Sequence, residues 1–231
     1  NTPVLFYVAD TSTNLINVSD VSDEKAQVVD LSIVSIKDPN INQINCVLKG
    51  RVLGAYLRNC YIAVYDLNDN LVDNTTTDFY GNYYLSFVSP STIVKLVSSG
   101  GVDISSFKDT NYTYYRYVYN LSEGTPNIAN ISPLTSLLYS NLNFNGNSES
   151  DISDNIQNSS MKIQTAFDIE DYDNIIEDYI ELLDSKVTYI NILIACCINI
   201  IKSSSISLLN SNNIEIDKLI FTSINKIIEY N

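Results

Sequence analysis

Hydrophobic periodicity changes once along this chain, at Ser132-Pro133, and the change limits the folds open to it. Before that point, apolar and aromatic residues alternate in short runs. After it, they return every three or four positions. A strand sends successive side chains to opposite faces, whereas a helix puts residues three and four apart on one face. The sequence therefore predicts an α+β chain, an N-terminal all-β sandwich followed by a C-terminal α-helical bundle.

The first part divides at its turns. Residues 1–45 hold two apolar, strand-like pieces, 3–9 and 27–36, around a Ser/Asn/Asp-rich stretch. They read as a β segment, either the end of an upstream domain or strands packed on the next one. Residues 46–130 read as the sandwich, with strands expected over 46–52, 61–66, 83–88, 92–98 and 112–120. Gly54, Asn68 to Asn70, Gly81, Pro90 and Gly100-Gly101 supply the turn chemistry between them. The Thr/Asp segment before Gly81 and the alternating Tyr83-Tyr84-Leu85-Ser86-Phe87 after it carry a hairpin signal.

Residues 131–231 form the expected helical domain. Ser132 is a good N-cap and Pro133 suits the first helical position, where no N–H is needed. Leu134, Leu137, Leu138 and Leu142 follow at helical spacing. Ser150 or Ser153 caps a second helix to about Phe167. A third is expected over 172–183, with Ile175, Ile176, Tyr179, Ile180 and Leu183 on one face and Asp171 and Asp173 in its first turn. A fourth, over 185–203, is apolar nearly all round and is expected at the centre. A fifth covers 214–230.

Charge and composition remove whole classes of function. Net charge is −14 with 13 basic residues, and Arg51, Arg58 and Arg116 are scattered. Phosphate neutralisation needs clustered cations, so no nucleic-acid partner is expected. An anionic membrane surface is disfavoured for the same reason. The apolar run 187–201 is interrupted by Asn191 and Asn199 and is shorter than the roughly 20 residues of a membrane span, so a buried core helix is expected, not membrane insertion. There is no His, the commonest general base and metal ligand. No nucleophile elbow, Walker loop or dinucleotide fingerprint appears, so no enzyme activity, catalytic residue or cofactor is expected. The chain begins at Asn1 with no visible signal peptide and reads as a piece of something longer.

Three constellations stand out. Asp66, Asn68, Asn70 and Asp73 resemble the start of a calcium loop, but Leu71 and Thr77 occupy its glycine and bidentate-Glu positions, so a solvated turn competes with a cation site and no metal is assigned. The four cysteines lack zinc spacing. They are expected as buried free thiols, with Cys46 facing Cys60 on a neighbouring strand as the other reading, and Cys196-Cys197 inert among apolar neighbours. Tyr112, Tyr114, Tyr115, Arg116, Tyr117 and Tyr119 make an aromatic strand. Tyr115, Tyr117 and Tyr119 share one face, Tyr114 and Arg116 the other. Cross-strand packing and a stacking platform are both open to it; Tyr114, Tyr115, Arg116 and Tyr117 are the candidate binding residues.

The order of motifs carries a resemblance. A strand and acidic turn at Asp66-Leu67-Asn68-Asp69-Asn70 precede the Gly81 turn. Ser99-Gly100-Gly101-Val102-Asp103 then leads to Ile131-Ser132-Pro133-Leu134-Thr135-Ser136-Leu137-Leu138. Over residues 46–203 this resembles the carboxypeptidase-regulatory-like and Cna-B/SdrD-like modules of large surface proteins. The resemblance implies a prealbumin-like or immunoglobulin-like β-sandwich with a helical unit, used as a structural or adhesive part. It implies no catalytic residues. The expected role is a non-enzymatic module of a virion or cell surface, or another extracellular location. Its partners would be neighbouring structural subunits or adjacent domains, contacted through the β half. A carbohydrate- or receptor-binding module on the aromatic strand, and an accessory domain of an enzyme encoded elsewhere, are the alternatives.

Overall fold

Alternation is strongest in Asn82–Ser89, where Tyr83, Leu85, Phe87 and Ser89 are buried and Tyr84, Ser86 and Val88 are exposed. Such a pattern demands one covered and one open sheet face. In the computed structural model, which describes residues 43–54, 56–140, 142, 149–205 and 213–229, it forms strand β5. The strands before it are β1 (Ile44–Arg51), β2 (Leu57–Arg58), β3 (Tyr61–Tyr65) and β4 (Leu71–Thr76); those after it are β6 (Val94–Ser99), β7 (Val102–Asp103), β8 (Thr113–Val118) and β9 (Pro126–Ile128). The helices are α1 (Pro133–Ser140), α2 (Glu149–Phe167), α3 (Asp173–Ile176), α4 (Ser185–Ser205) and α5 (Asn213–Glu229). The architecture is α+β, strand-rich first and helical second. The strand-like pieces expected at 3–9 and 27–36 lie outside the described residues.

Among the described residues the strands form three sheets, in the orders β5-β1-β9, β2-β7 and β4-β3-β6-β8. β9 pairs parallel with β1, and the β1–β5 and β3–β4, β3–β6 and β6–β8 pairings are antiparallel. The hairpin expected around Gly81 is therefore not a paired one. The turn is present, closed by Gly81 N–H to the Asp78 carbonyl at 3.1 Å, with Gly81 at φ +79°. Its two arms join different sheets, β4 pairing with β3 and β5 with β1. At Gly50 the parallel β9 segment passes so close that an added Cβ would collide with the Ala129 carbonyl.

The strands and helices share one buried cluster inside a compact unit, Pro39–Asn231. Leu48, Leu85, Ile62, Val64 and Leu96 enter it from the sheets; Leu134, Leu137, Ile156, Ile194 and Phe221 enter it from the helices. α1 is the joint. Its residues Pro133 to Tyr139 are all buried. Ser132 Oγ accepts from Thr135 N–H at 3.1 Å, and Thr135 Oγ1 accepts from Ser132 N–H at 2.8 Å, a reciprocal N-terminal cap.

Two helical expectations are corrected. The helix expected over 172–183 stops after one turn. Asp178 Oδ1 accepts from the N–H groups of Ile180 and Glu181, and Leu183 sits at φ +56°. A side chain that captures nearby backbone donors competes with the helix. The helix expected at the centre, α4, is covered on one side only. Val187, Ile190, Asn191, Ile194, Ile198 and Lys202 are buried, while Tyr189, Ile192, Leu193 and Ile200 are exposed.

Candidate functional site

β8 is the edge strand of the four-stranded sheet, and an open edge offers unpaired N–H and C=O groups. Here the helices close it. Tyr115 N–H donates to Ser136 Oγ at 2.9 Å, and Thr135 Oγ1 donates to the Tyr115 carbonyl at 2.9 Å. Two residues earlier, Thr113 N–H donates to Asp217 of α5 at 2.9 Å. Asp217 is itself paired with the buried Lys202 of α4, 2.7 Å away. Lys202 Nζ also donates to the Asn111 carbonyl at 2.7 Å. Two helices are thus fastened to β8 through its backbone.

The candidate binding residues fall on both faces of this strand, and both faces are covered. Tyr139 of α1 stacks on Tyr115 and on Tyr117, with centroids 4.7 and 4.8 Å apart and planes 12° from parallel in each case. Phe221 of α5 meets Tyr115 edge-on. On the opposite face Tyr114 is fully buried and stacks on Tyr112 at 5.6 Å. Burial pushes the phenols of Tyr114, Tyr115 and Tyr117 well above their ordinary value. Arg116 is also buried. Its guanidinium donates to the carbonyls of Asn130 (2.7 Å), Ile176 (3.2 Å) and Ile128 (3.3 Å). Burial pulls its pKa down, and among the described residues no carboxylate pairs with it. A partner could reach Tyr114 only by displacing parts of the same chain, whereas Arg116 borders a cleft. The periodicity of 112–120 shows which residues share a face, but not what covers that face.

A cleft of about 750 Å³ lies beside Arg116, between the β1–β5 pair and the segment around α3. Lys49, Arg51 and Asn82 line one wall, and Asp173, Glu177, Asp178 and Glu181 the other. Arg51 spans it, with Nη1 3.0 Å from Asp178 and 3.1 Å from Glu181, and Nε donating to Asn82 at 2.7 Å. The Tyr56 hydroxyl donates to Asp178 at 3.1 Å, and the Arg51 guanidinium sits 4.9 Å from the Tyr56 ring centre. Burial and the Asp178 charge raise the Tyr56 phenol; burial lowers Arg51, but its bonds to Asp178 and Tyr56 outweigh that and raise it. Among the described residues its lining contains no Ser, Thr, Cys or His. Its charges hold the α3 segment onto β1, a structural clasp that the sequence did not signal because Arg51 and Asp178 are so far apart in it.

The Asp66 turn is built from its own chain. Asp66 Oδ1 accepts from the N–H groups of Asn68 and Asn70, both at 2.8 Å, and Oδ2 from Asn70 Nδ2 at 2.9 Å. These are the bonds of an Asx-type turn. Asp73 lies beyond the turn, in β4. Among the described residues no group of three or more His, Cys, Asp or Glu is arranged to hold a metal.

The thiol expectation is half corrected. Cys46 and Cys60 are buried and free, Cys46 in β1 and Cys60 beside β3, so they are not paired with each other. Burial pushes the Cys60 thiol up to about 12. Cys196 and Cys197 are exposed, on the open side of α4.

That side of α4 carries Tyr189, Ile192, Leu193, Cys196 and Ile200 at helical spacing, without a charged residue from Val187 to Ile201. The inward side, though mostly apolar, includes Asn191 and Lys202. Asn191 Oδ1 accepts from Leu134 N–H at 3.0 Å, and Lys202 reaches Asp217. The usual amphipathic order is thus partly inverted. Ser185–Lys202 is long and apolar enough to cross a membrane by length and composition, a test that packed helices also pass.

Set beside known protein families, characterised proteins and solved structures, the chain matches none.

Proposed function

We propose that this chain is a non-enzymatic structural module of a virion or cell surface that acts through protein–protein contacts. In this reading the strand-rich part is a prealbumin-like sandwich and the helices are its cap. Support for the sandwich is that the three- and four-stranded sheets contribute alternate residues to one cluster and that the chain crosses between them at Gly81. The helices cover the β8 strand, and in this reading the open face of α4 adds a contact surface on the helical half.

The uncharged open face of α4 carries the proposal. Tyr189 and Ile200 are 61% and 65% exposed, two turns or more apart on one stripe. A contiguous apolar surface rimmed by polar residues marks interaction sites in soluble proteins. Burying it costs little charge desolvation. The test is Leu193→Glu with Ile200→Glu, assayed for assembly with the chain's own source components and for unchanged circular dichroism. Loss of assembly by a folded variant is expected. Assembly equal to wild type would overturn the proposal.

A further inference from the structure

An arginine is held between two exposed aromatic rings on the strand-rich part of the chain. Arg58 ends β2, Phe79 and Tyr80 form the turn between β4 and β5, and Phe107 follows β7. The Arg58 guanidinium is 5.2 Å from the Phe79 ring centre and 5.6 Å from that of Phe107. Tyr80 meets Phe79 edge-on at 5.4 Å. Phe79, Tyr80 and Phe107 are 57%, 67% and 69% exposed. More than half of each ring's residue surface stays in water, so none of the three is a core residue.

The charge of Arg58 is unanswered. Its Nε is buried without a partner, and among the described residues no hydrogen bond or ion pair forms at its terminal nitrogens, which reach solvent. Asp78 and Asp103, at the bases of the two loops, direct their carboxylates to local donors rather than to Arg58. Asp78 accepts from the N–H groups of Tyr80 (2.8 Å) and Asn82 (2.9 Å). Asp103 accepts from Ser105 N–H (2.7 Å), Ser105 Oγ (2.6 Å) and Ser106 N–H (3.0 Å). Both acids therefore brace the loops that carry the rings. Lys108 and Asp109, next to Phe107, oppose one another in sign.

Backbone strain supports the same reading. Phe107 sits at φ +54°, a region that bulky residues rarely adopt. The loop is pinned there by Phe107 N–H to the Asp103 carbonyl (2.8 Å) and Asp103 N–H to the Lys108 carbonyl (2.9 Å). Strain retained to present a ring to solvent points to a use for that ring.

We propose that Arg58, Phe79, Tyr80 and Phe107 form a docking site for an acidic peptide segment of a partner protein. The inference rests on the protein-contact reading above but uses a different surface. A stacked guanidinium is pre-organised, and its free terminal nitrogens match a carboxylate bidentately. The rings exclude water around that pair and take an apolar neighbour of the acidic residue. Arginine and aromatic residues at the centre of a patch are the usual composition of an interface anchor. Arg58 itself selects the acid: among the described residues its guanidinium makes no hydrogen bond or ion pair, and a carboxylate is the group that matches its planar fork.

The experiment is selection of a random peptide library displayed on phage against the full chain, with counter-selection against Arg58→Gln. Recovered peptides are expected to carry Asp or Glu beside an apolar or aromatic residue. Their synthetic forms should bind wild type and lose about tenfold or more with Arg58→Gln, and also with Arg58→Lys, which keeps charge but loses the planar fork. Phe107→Gly relieves the positive φ, so it should weaken binding while holding or raising the melting temperature. No Arg58-dependent peptide, recovered peptides without an acid, or a Phe107→Gly variant that melts earlier and binds normally would each overturn the site. So would a glycan array showing neutral sugars bound through Phe107 but not Arg58. The α4 charge variants test the contact reading itself: their failure to disturb assembly sinks that reading, whereas failure at Arg58 alone leaves it standing.

Discussion

Asp66 and the cysteines show how far one side chain's setting departs from its sequence context. Burial raises the Asp66 carboxyl, but the bonds from Asn70 and Asn68 together with nearby Lys95 outweigh it and hold its pKa below the ordinary 3.8. Lys95 is shared with Asp69, its ion-pair partner. A depressed folded pKa gives stability that is complete above the unfolded value and is lost as pH falls through the folded one. Urea unfolding across acidic pH should therefore show Asp66→Asn losing less stability on acidification than wild type; parallel curves would refute it. The cysteines divide by exposure. A thiol reagent under native conditions should label Cys196 and Cys197 promptly and spare buried Cys46 and Cys60 until unfolding, read by intact mass. The Asx turn was legible in Asp66-Leu67-Asn68-Asp69-Asn70. The exposure of Cys196 was not, because apolar neighbours in sequence, such as Leu193 and Ile200, turned out to lie on the open face too.

Among the elements, the α1–β8 joint governs the most structure. Ser136 Oγ is the acceptor for the buried Tyr115 N–H, and Ser136→Ala leaves that donor unsatisfied. The expected cost is about 1–3 kcal/mol, measured by denaturant titration. A Ser136→Ala variant as stable as wild type would show that the helix does not close the sheet edge energetically. The start of α1 was readable from Ser132-Pro133, because capping is a local interaction. The end of the helix expected after Tyr172 was not. Its apolar spacing is helical, and Ile175 and Tyr179 are indeed buried. Yet Asp178 bonds the N–H groups of Ile180 and Glu181 and is drawn toward Arg51 on β1, a partner supplied by a distant strand.

For the whole molecule, the shared core sets the unfolding behaviour. Tyr114, Tyr115 and Tyr83 are buried among strands and helices alike, so loosening the helices uncovers the sheet. Helical ellipticity and near-ultraviolet tyrosine signal should therefore be lost at one denaturant midpoint. Two resolved midpoints would mean that strand and helical parts hold together independently.

Interactions between residues close in the chain were settled by the sequence itself. Alternation set β5, capping set α1, and turn residues set the breaks at Asp66 and Gly81. The partner of each face was decided only by tertiary structure. Tyr139 covers Tyr115, Asp217 closes the end of β8, Arg51 holds Asp178, and α4 turns Asn191 and Lys202 inward while Tyr189 and Ile200 face out. Periodicity states that a helix or strand has two faces. Which one is buried depends on the donors and acceptors that neighbouring elements leave unsatisfied, and those neighbours come from distant parts of the chain.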